Sequence, residues 1–142
     1  MPRIFDHVDL RVKSLREVDA FYKAFLPLLG FTTRVEIEGW LQFEAGGGEV
    51  TEFFGITEDP AHVPNRSRIA FWADRPERVD FFAQELRRLG AQKMEGPGFE
   101  AEFYYALYFE DPSGNPLEIC HRTSRFNPLG PVAERAQSKG GL

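Results

Sequence analysis

The chain repeats itself at an interval of about sixty residues, and this constrains its fold more than anything else in it. The first copy reads His7-Val8-Asp9-Leu10-Arg11-Val12, then Glu17-Val18-Asp19-Ala20-Phe21-Tyr22, and closes on Leu29-Gly30-Phe31. The second reads Arg68-Ile69-Ala70-Phe71-Trp72-Ala73, then Arg78-Val79-Asp80-Phe81-Phe82, and closes on Leu89-Gly90-Ala91. The offset is 61 through the strand-like and helix-like segments and 60 at the glycines, so register survives a strand, a turn and a helix. That is the mark of a duplicated module. Two related modules meet about a pseudo-twofold axis, and chemistry is expected on the strand positions that both copies present there.

Within module one, residues 4–12 alternate, with Val8, Leu10 and Val12 on one face and His7, Asp9 and Arg11 on the other, as in a half-buried strand. Ser14 stands as a helix N-cap with Glu17 three residues on, a capping box. Leu15, Val18, Phe21, Tyr22, Phe25 and Leu29 follow at helical spacing, and Gly30 ends the helix in the left-handed conformation. Strands are expected at 31–37, 39–45 and 48–56, separated by Gly39 and the run Gly46-Gly47-Gly48. Residues 57–66, with Pro60, Pro64 and Asn65, read as the linker. Module two repeats the order over 67–122: a strand at 67–74, Asp74 capping a helix with Pro76 in its first turn, Gly90 closing it, then strands at 91–95, 102–110 and 115–122. The domain is placed at 1–125. Residues 126–142, with Pro128, Gly130, Pro131, Gly140 and Gly141, read as a loose tail carrying at most one short helix near 132–137.

At 142 residues the chain holds one domain or two intimately packed halves. Its net charge of −5, with acids and bases intermixed, carries no footprint for nucleic acid, so a small molecule or a protein is the expected partner. No apolar run approaches the roughly 20 residues of a membrane span. One cysteine, Cys120, rules out an internal disulfide and fits a reducing cytoplasm.

The paired β-α-β-β-β order, with Phe109-Glu110-Asp111-Pro112-Ser113-Gly114-Asn115-Pro116-Leu117-Glu118 turning into the last strand, resembles the vicinal oxygen chelate superfamily over roughly residues 4–122. That group contains glyoxalase I, extradiol dioxygenases, methylmalonyl-CoA epimerase, and the fosfomycin and bleomycin resistance proteins. The resemblance implies an α+β fold in which two tandem modules form an open, cleft-bearing barrel. It implies one of two functions. The first is a glyoxalase- or dioxygenase-like enzyme, metal-dependent, acting on a small substrate with vicinal oxygens. The second is a metal-free protein of bleomycin-resistance type that binds or sequesters a small ligand. A homodimer is expected, because such sheets leave edges that pair between modules or between chains.

In this superfamily the metal ligands come from the first and last strands of each module. Carried over by that resemblance, they fall on His7, on Glu118, and on Glu52 if Gly48 is aligned with Gly114. The implied cofactor is one divalent ion, Zn, Ni, Mn or Fe, with Glu52 or Glu118 moving a proton. The remaining position, an imidazole in many relatives, is Arg68, whose guanidinium keeps its charge and accepts no metal. Arg68 therefore reads either as the receptor of an anionic substrate group or as an ion-pair partner of Glu118. Trp40, Phe54 and Trp72 are expected to supply the apolar part of the pocket. Tyr104 or Tyr105 supplies a hydroxyl, alternation admitting only one of the two, and Tyr104 is the one assigned.

Overall fold

In the computed structural model, which describes residues 3–48 and 50–123, ten elements follow the duplicated order. Module one consists of β1 (His7–Val12), α1 (Leu15–Leu29), β2 (Phe31–Ile37), β3 (Trp40–Ala45) and β4 (Phe53–Glu58). Module two consists of β5 (Ile69–Trp72), α2 (Pro76–Leu89), β6 (Gln92–Ala101), β7 (Tyr104–Glu110) and β8 (Pro116–Arg122). Each module builds one four-stranded sheet, β1-β4-β3-β2 and β5-β8-β7-β6. In both, the first strand lies parallel to the last while the others pair antiparallel. This is the expected α+β pair of β-α-β-β-β modules, with open sheets.

The helices bury one stripe each and meet over the sheets. Val18, Phe21, Tyr22, Phe25 and Leu26 of α1 and Val79, Phe82, Ala83 and Leu86 of α2 are buried. They share one core with Val12, Phe54, Ile56, Phe71, Leu117 and Ile119. Phe25 is its hub, meeting Phe71, Phe82 and Phe109 edge-on at centroid separations of 5.6, 6.0 and 5.7 Å. Burying a side chain of this kind is worth about 1.5–3 kcal/mol.

Several expected details are corrected. Ser14 does occupy the N-cap of α1, but its side chain makes no cap bond. Instead the Leu15 N–H donates to Glu58 Oε1 at 2.9 Å, so β4 supplies the cap across the module. The N-cap of α2 is Arg75, not Asp74, and Pro76 fills the first helical position where a missing N–H costs nothing. β4 begins at Phe53 rather than 48 and runs on to Glu58, and β6 extends to Ala101. The short helix expected near 132–137 lies outside the described residues.

The Asp111–Asn115 turn joins the two modules. The fully buried Asp111 carboxylate accepts from the backbone N–H groups of Ser113 (2.8 Å) and Asn115 (2.9 Å), from Asn115 Nδ2 (3.1 Å) and from the Tyr22 hydroxyl of α1 (2.5 Å). Asn115 Nδ2 also donates to the Arg11 carbonyl, and Asn115 Oδ1 lies 2.8 Å from His62 Nε2. Burial first, and the Asp111 charge second, push the Tyr22 hydroxyl far above its ordinary pKa and keep it a donor.

Candidate functional site

Alternation along the strands separates a helix-side face from an open face. Val8, Leu10, Val12, Phe54, Ile56, Ile69, Phe71, Leu117 and Ile119 belong to the core or pack against it. The alternate positions, His7, Asp9, Phe53, Gly55 and Thr57 in module one and Arg68, Ala70, Trp72, Glu118 and Cys120 in module two, take the other face.

The strand register fixes which positions correspond. Val8 pairs with Phe54 and Ile69 with Leu117, so a shift of 61 carries β1 onto β5 while a shift of 63 carries β4 onto β8. His7 therefore matches Arg68, as the sequence repeat indicates. The mate of Glu118 is Gly55, not Glu52. The alignment of turn glycines misplaces this strand because the two turns differ in length. Glu52 precedes β4, is exposed, and sits 3.9 Å from Arg3. At Gly55 an added Cβ would lie 3.0 Å from Trp40 Nε1 and 3.4 Å from the Val8 carbonyl. Where module two carries a carboxylate, module one carries a bare backbone with an indole laid over it.

Module two holds the charged half. Glu118 is 2% exposed. Its Oε1 accepts from Arg68 Nε at 3.1 Å, and its Oε2 accepts from the Tyr104 hydroxyl. The Arg68 guanidinium lies 4.5 Å from the centroid of the Tyr108 ring, while its side chain remains 46% exposed. It reaches a cavity of about 350 Å³ lined also by Lys93, Glu95, Tyr108 and Pro116. Burial, followed by the bond to Glu118, drives the Tyr104 hydroxyl strongly upward, so it acts as a donor and not as a base. Burial likewise raises the Cys120 thiol, which leaves less of the reactive thiolate.

Module one holds the aromatic half. His7 stacks on Phe53 at 4.4 Å with the rings 4° from parallel, and its Nδ1 lies 2.7 Å from Asp6 Oδ2. Trp40 meets Phe53 edge-on at 6.2 Å, and the Thr57 hydroxyl donates to Asp9 Oδ1 at 2.5 Å. Together with Gly55 these residues enclose about 250 Å³. A second hollow of about 280 Å³ touches both Asp9 and Arg68, so the two halves are continuous along the face.

Of the residues singled out from sequence, the structure brings Arg68, Glu118 and Tyr104 into one bonded group. Trp40 and His7 lie together in module one, and Trp72 is 60% exposed on the open face beside His121. Phe54 is 1% exposed and packs in the core against Tyr22 and Phe71. Glu52 lies away from the open-face group. His7, Glu52 and Glu118 are thus not assembled as a ligand set, and among the described residues no three His, Cys, Asp or Glu side chains are grouped to hold a metal ion. The donor set fits such an ion poorly, since its one buried carboxylate already faces a guanidinium. Sequence reasoning missed Phe53, Asp9 and Tyr108. The alternation that placed His7 on the open face already carried Asp9 with it, whereas Phe53 and Tyr108 depended on strand registers.

The profile described as Glyoxalase/Bleomycin resistance protein/Dioxygenase superfamily matches residues 4–119. Among solved structures, a glyoxalase/bleomycin resistance protein from Albidiferax ferrireducens T118 is 31% identical, with 84% of this chain and 98% of that one covered at a TM-score of 0.68. The genomically encoded fosfomycin resistance protein FosX from Listeria monocytogenes shares the fold at 20% identity, 87% and 97% coverage and a TM-score of 0.66. A mutant of that protein, complexed with Mn(II) and 1S,2S-dihydroxypropylphosphonic acid, matches at 21% identity, 87% and 94% coverage and a TM-score of 0.64. The search of curated proteins gives no significant match.

Proposed function

This chain belongs to the Glyoxalase/Bleomycin resistance protein/Dioxygenase superfamily, and from that premise we propose that it binds a small organic anion on its open face without using a metal ion. The observation that carries this reading is the Arg68–Glu118–Tyr104 group. A divalent ion needs carboxylate lone pairs free to coordinate, together with open positions for substrate. Here both Glu118 oxygens are occupied by donors, one of them a permanent cation, and the matching position in module one is Gly55. Arg68 spends its Nε on Glu118, and its half-exposed side chain leaves the terminal nitrogens to take a carboxylate or phosphonate. The phosphonate bound by the fosfomycin resistance protein belongs to this class of group. Trp40, Phe53 and Trp72 offer rings for the organic portion.

The test is titration of chelator-treated protein with 1-naphthylacetate by intrinsic fluorescence or calorimetry. Losing a charge-assisted hydrogen bond worth about 1.5–3 kcal/mol predicts that Arg68→Ala weakens binding by roughly 10- to 150-fold. Chelation should change nothing. Binding restored only by added Zn²⁺ or Mn²⁺ would favour the catalytic, metal-dependent reading, with Glu118 as the proton carrier. A homodimer belongs to the same proposal, since the open face exposes Trp72 and a second copy would shelter it. Light scattering decides between about 16 and 32 kDa.

A further inference from the structure

The seam between β1 and β5 has two ends, and the pseudo-twofold relation makes a hollow at one the counterpart of a hollow at the other. Asn65, Ser67, Asn115 and Pro116 at the first end correspond, by the shifts of 61 and 63, to Ile4, Asp6, Glu52 and Phe53 at the second. The first end is filled by polar groups: Asn115 is buried, bonds across to Arg11 and Asp111, and meets His62. About 280 Å³ remains there. At the second end the charged groups Arg3, Asp6 and Glu52 pair with one another at the rim instead, and about 490 Å³ is left, walled by Val8, Phe31, Phe54, Ile69 and Phe71 from the core side and bordered by His7, Phe53 and Ala70 of the open face. That volume lies within the roughly 300–1,000 Å³ of small-molecule sites.

Charge at its rim selects the occupant. Arg3 is shared between two carboxylates, Asp6 Oδ1 at 3.3 Å and Glu52 Oε2 at 3.9 Å, while Asp6 Oδ2 faces His7 Nδ1. Two anions thus face one guanidinium over an apolar well. We propose that this seam cavity is a second binding site, distinct from the Arg68–Glu118–Tyr104 group although it borders the open face at His7, Phe53 and Ala70, for a compact apolar amine in its protonated form. The ammonium completes the charge on Glu52 and Asp6 as the hydrocarbon part enters between Phe31, Phe54 and Phe71. Ile4 and Phe5, 91% and 80% exposed at the mouth, supply further apolar surface to the bound molecule.

Two probes with one ring and opposite charge separate this site from the open face: 1-naphthylmethylamine and 1-naphthylacetate, titrated at pH 8, above the ordinary imidazole range. The amine is expected to saturate at one equivalent per chain. Its binding should weaken at least fivefold in Glu52→Gln, and as much in Ala70→Trp, which fills the cavity from an exposed position. Arg68→Ala should leave it unchanged. Circular dichroism and thermal melting verify that each variant is folded. An amine that fails to saturate, that ignores both Glu52→Gln and Ala70→Trp, or that is lost with Arg68→Ala overturns the seam site. If naphthylacetate still depends on Arg68 in that case, the open-face reading stands alone. The reverse pattern, amine bound and acetate not, removes the open-face reading and keeps the seam site.

Discussion

Replacing Arg68 by Met keeps an apolar stem over Tyr108 while deleting the charge that faces Glu118. Its cost follows from burial. Breaking a fully buried pair costs about 3–5 kcal/mol, and breaking an exposed one about 0–1 kcal/mol. Here the carboxylate side chain is 3% exposed and the arginine 46%, so solvent screens one partner only, and Tyr104 still donates to the carboxylate. Between those limits the loss should be about 1.5–3 kcal/mol. At roughly 3–4 °C per kcal/mol for a chain of this length, the midpoint should fall by about 5–12 °C. The informative partner is Arg68→Met with Glu118→Gln. The amide carries no charge and still accepts from Tyr104, so the double variant should regain at least half of the deficit. Thermal denaturation followed by circular dichroism measures all three proteins. A single variant within about 1 °C of the parent, or a double variant less stable than Arg68→Met, would refute the picture of a buried charge held by Arg68.

Tyr22→Phe removes one of four donors to the fully buried Asp111 and should cost about 1.5–3 kcal/mol in urea unfolding, without changing the slope. Phe25→Ala empties the centre of the aromatic core and should cost about 3–5 kcal/mol by the same measurement. Gly55→Ala forces the Trp40 indole to move, so a shift in tryptophan emission and a loss of about 1–3 kcal/mol are expected. The bond to Asp80 raises the Tyr105 hydroxyl to about 12. A folded-state pKa above the unfolded value of about 10 means the contribution is complete below pH 10 and lost as pH rises towards 12. A stability difference from Tyr105→Phe should close across that window, and ultraviolet titration of the phenolates locates it.

The modules were legible because duplication, hydrophobic period and terminal glycines agree with one another, and agreement of that kind is what specifies a fold. Both helices end at αL glycines, Gly30 and Gly90, as read. Sequence reasoning failed where a contact reaches between elements. The cap of α1 comes from Glu58, 43 residues away, and no local pattern announces it. At the candidate site, Arg68 was readable from the 61-residue repeat that sets it opposite His7, and Glu118 because β8 follows the Asp111–Asn115 turn directly. Glu52 and Phe54 were misread together, through one displaced register: the Gly46-Gly47-Gly48 turn is not the same length as the Asp111–Asn115 turn. A slip of odd length exchanges the faces of a strand, so Phe54, which lies on the helix side, read as a wall of the open face, and the glycine of that face went unnoticed.

The indole over Gly55 also imposes an order on any change at this position. A side chain at residue 55 meets Trp40 Nε1 at 3.0 Å from its first carbon, with the Val8 carbonyl at 3.4 Å. A carboxylate introduced there while Trp40 stands requires the indole to give way at its first carbon, and its further atoms have to find room beside the same ring. Shortening residue 40 first opens the space at the expense of one wall of the aromatic half. The two substitutions are therefore strongly non-additive, and only one of the two routes between a glycine and a carboxylate at residue 55 passes through a protein without that clash. Libraries that vary position 55 alone should return small residues, and those that vary 40 and 55 together should admit larger ones paired with a reduced side chain at 40.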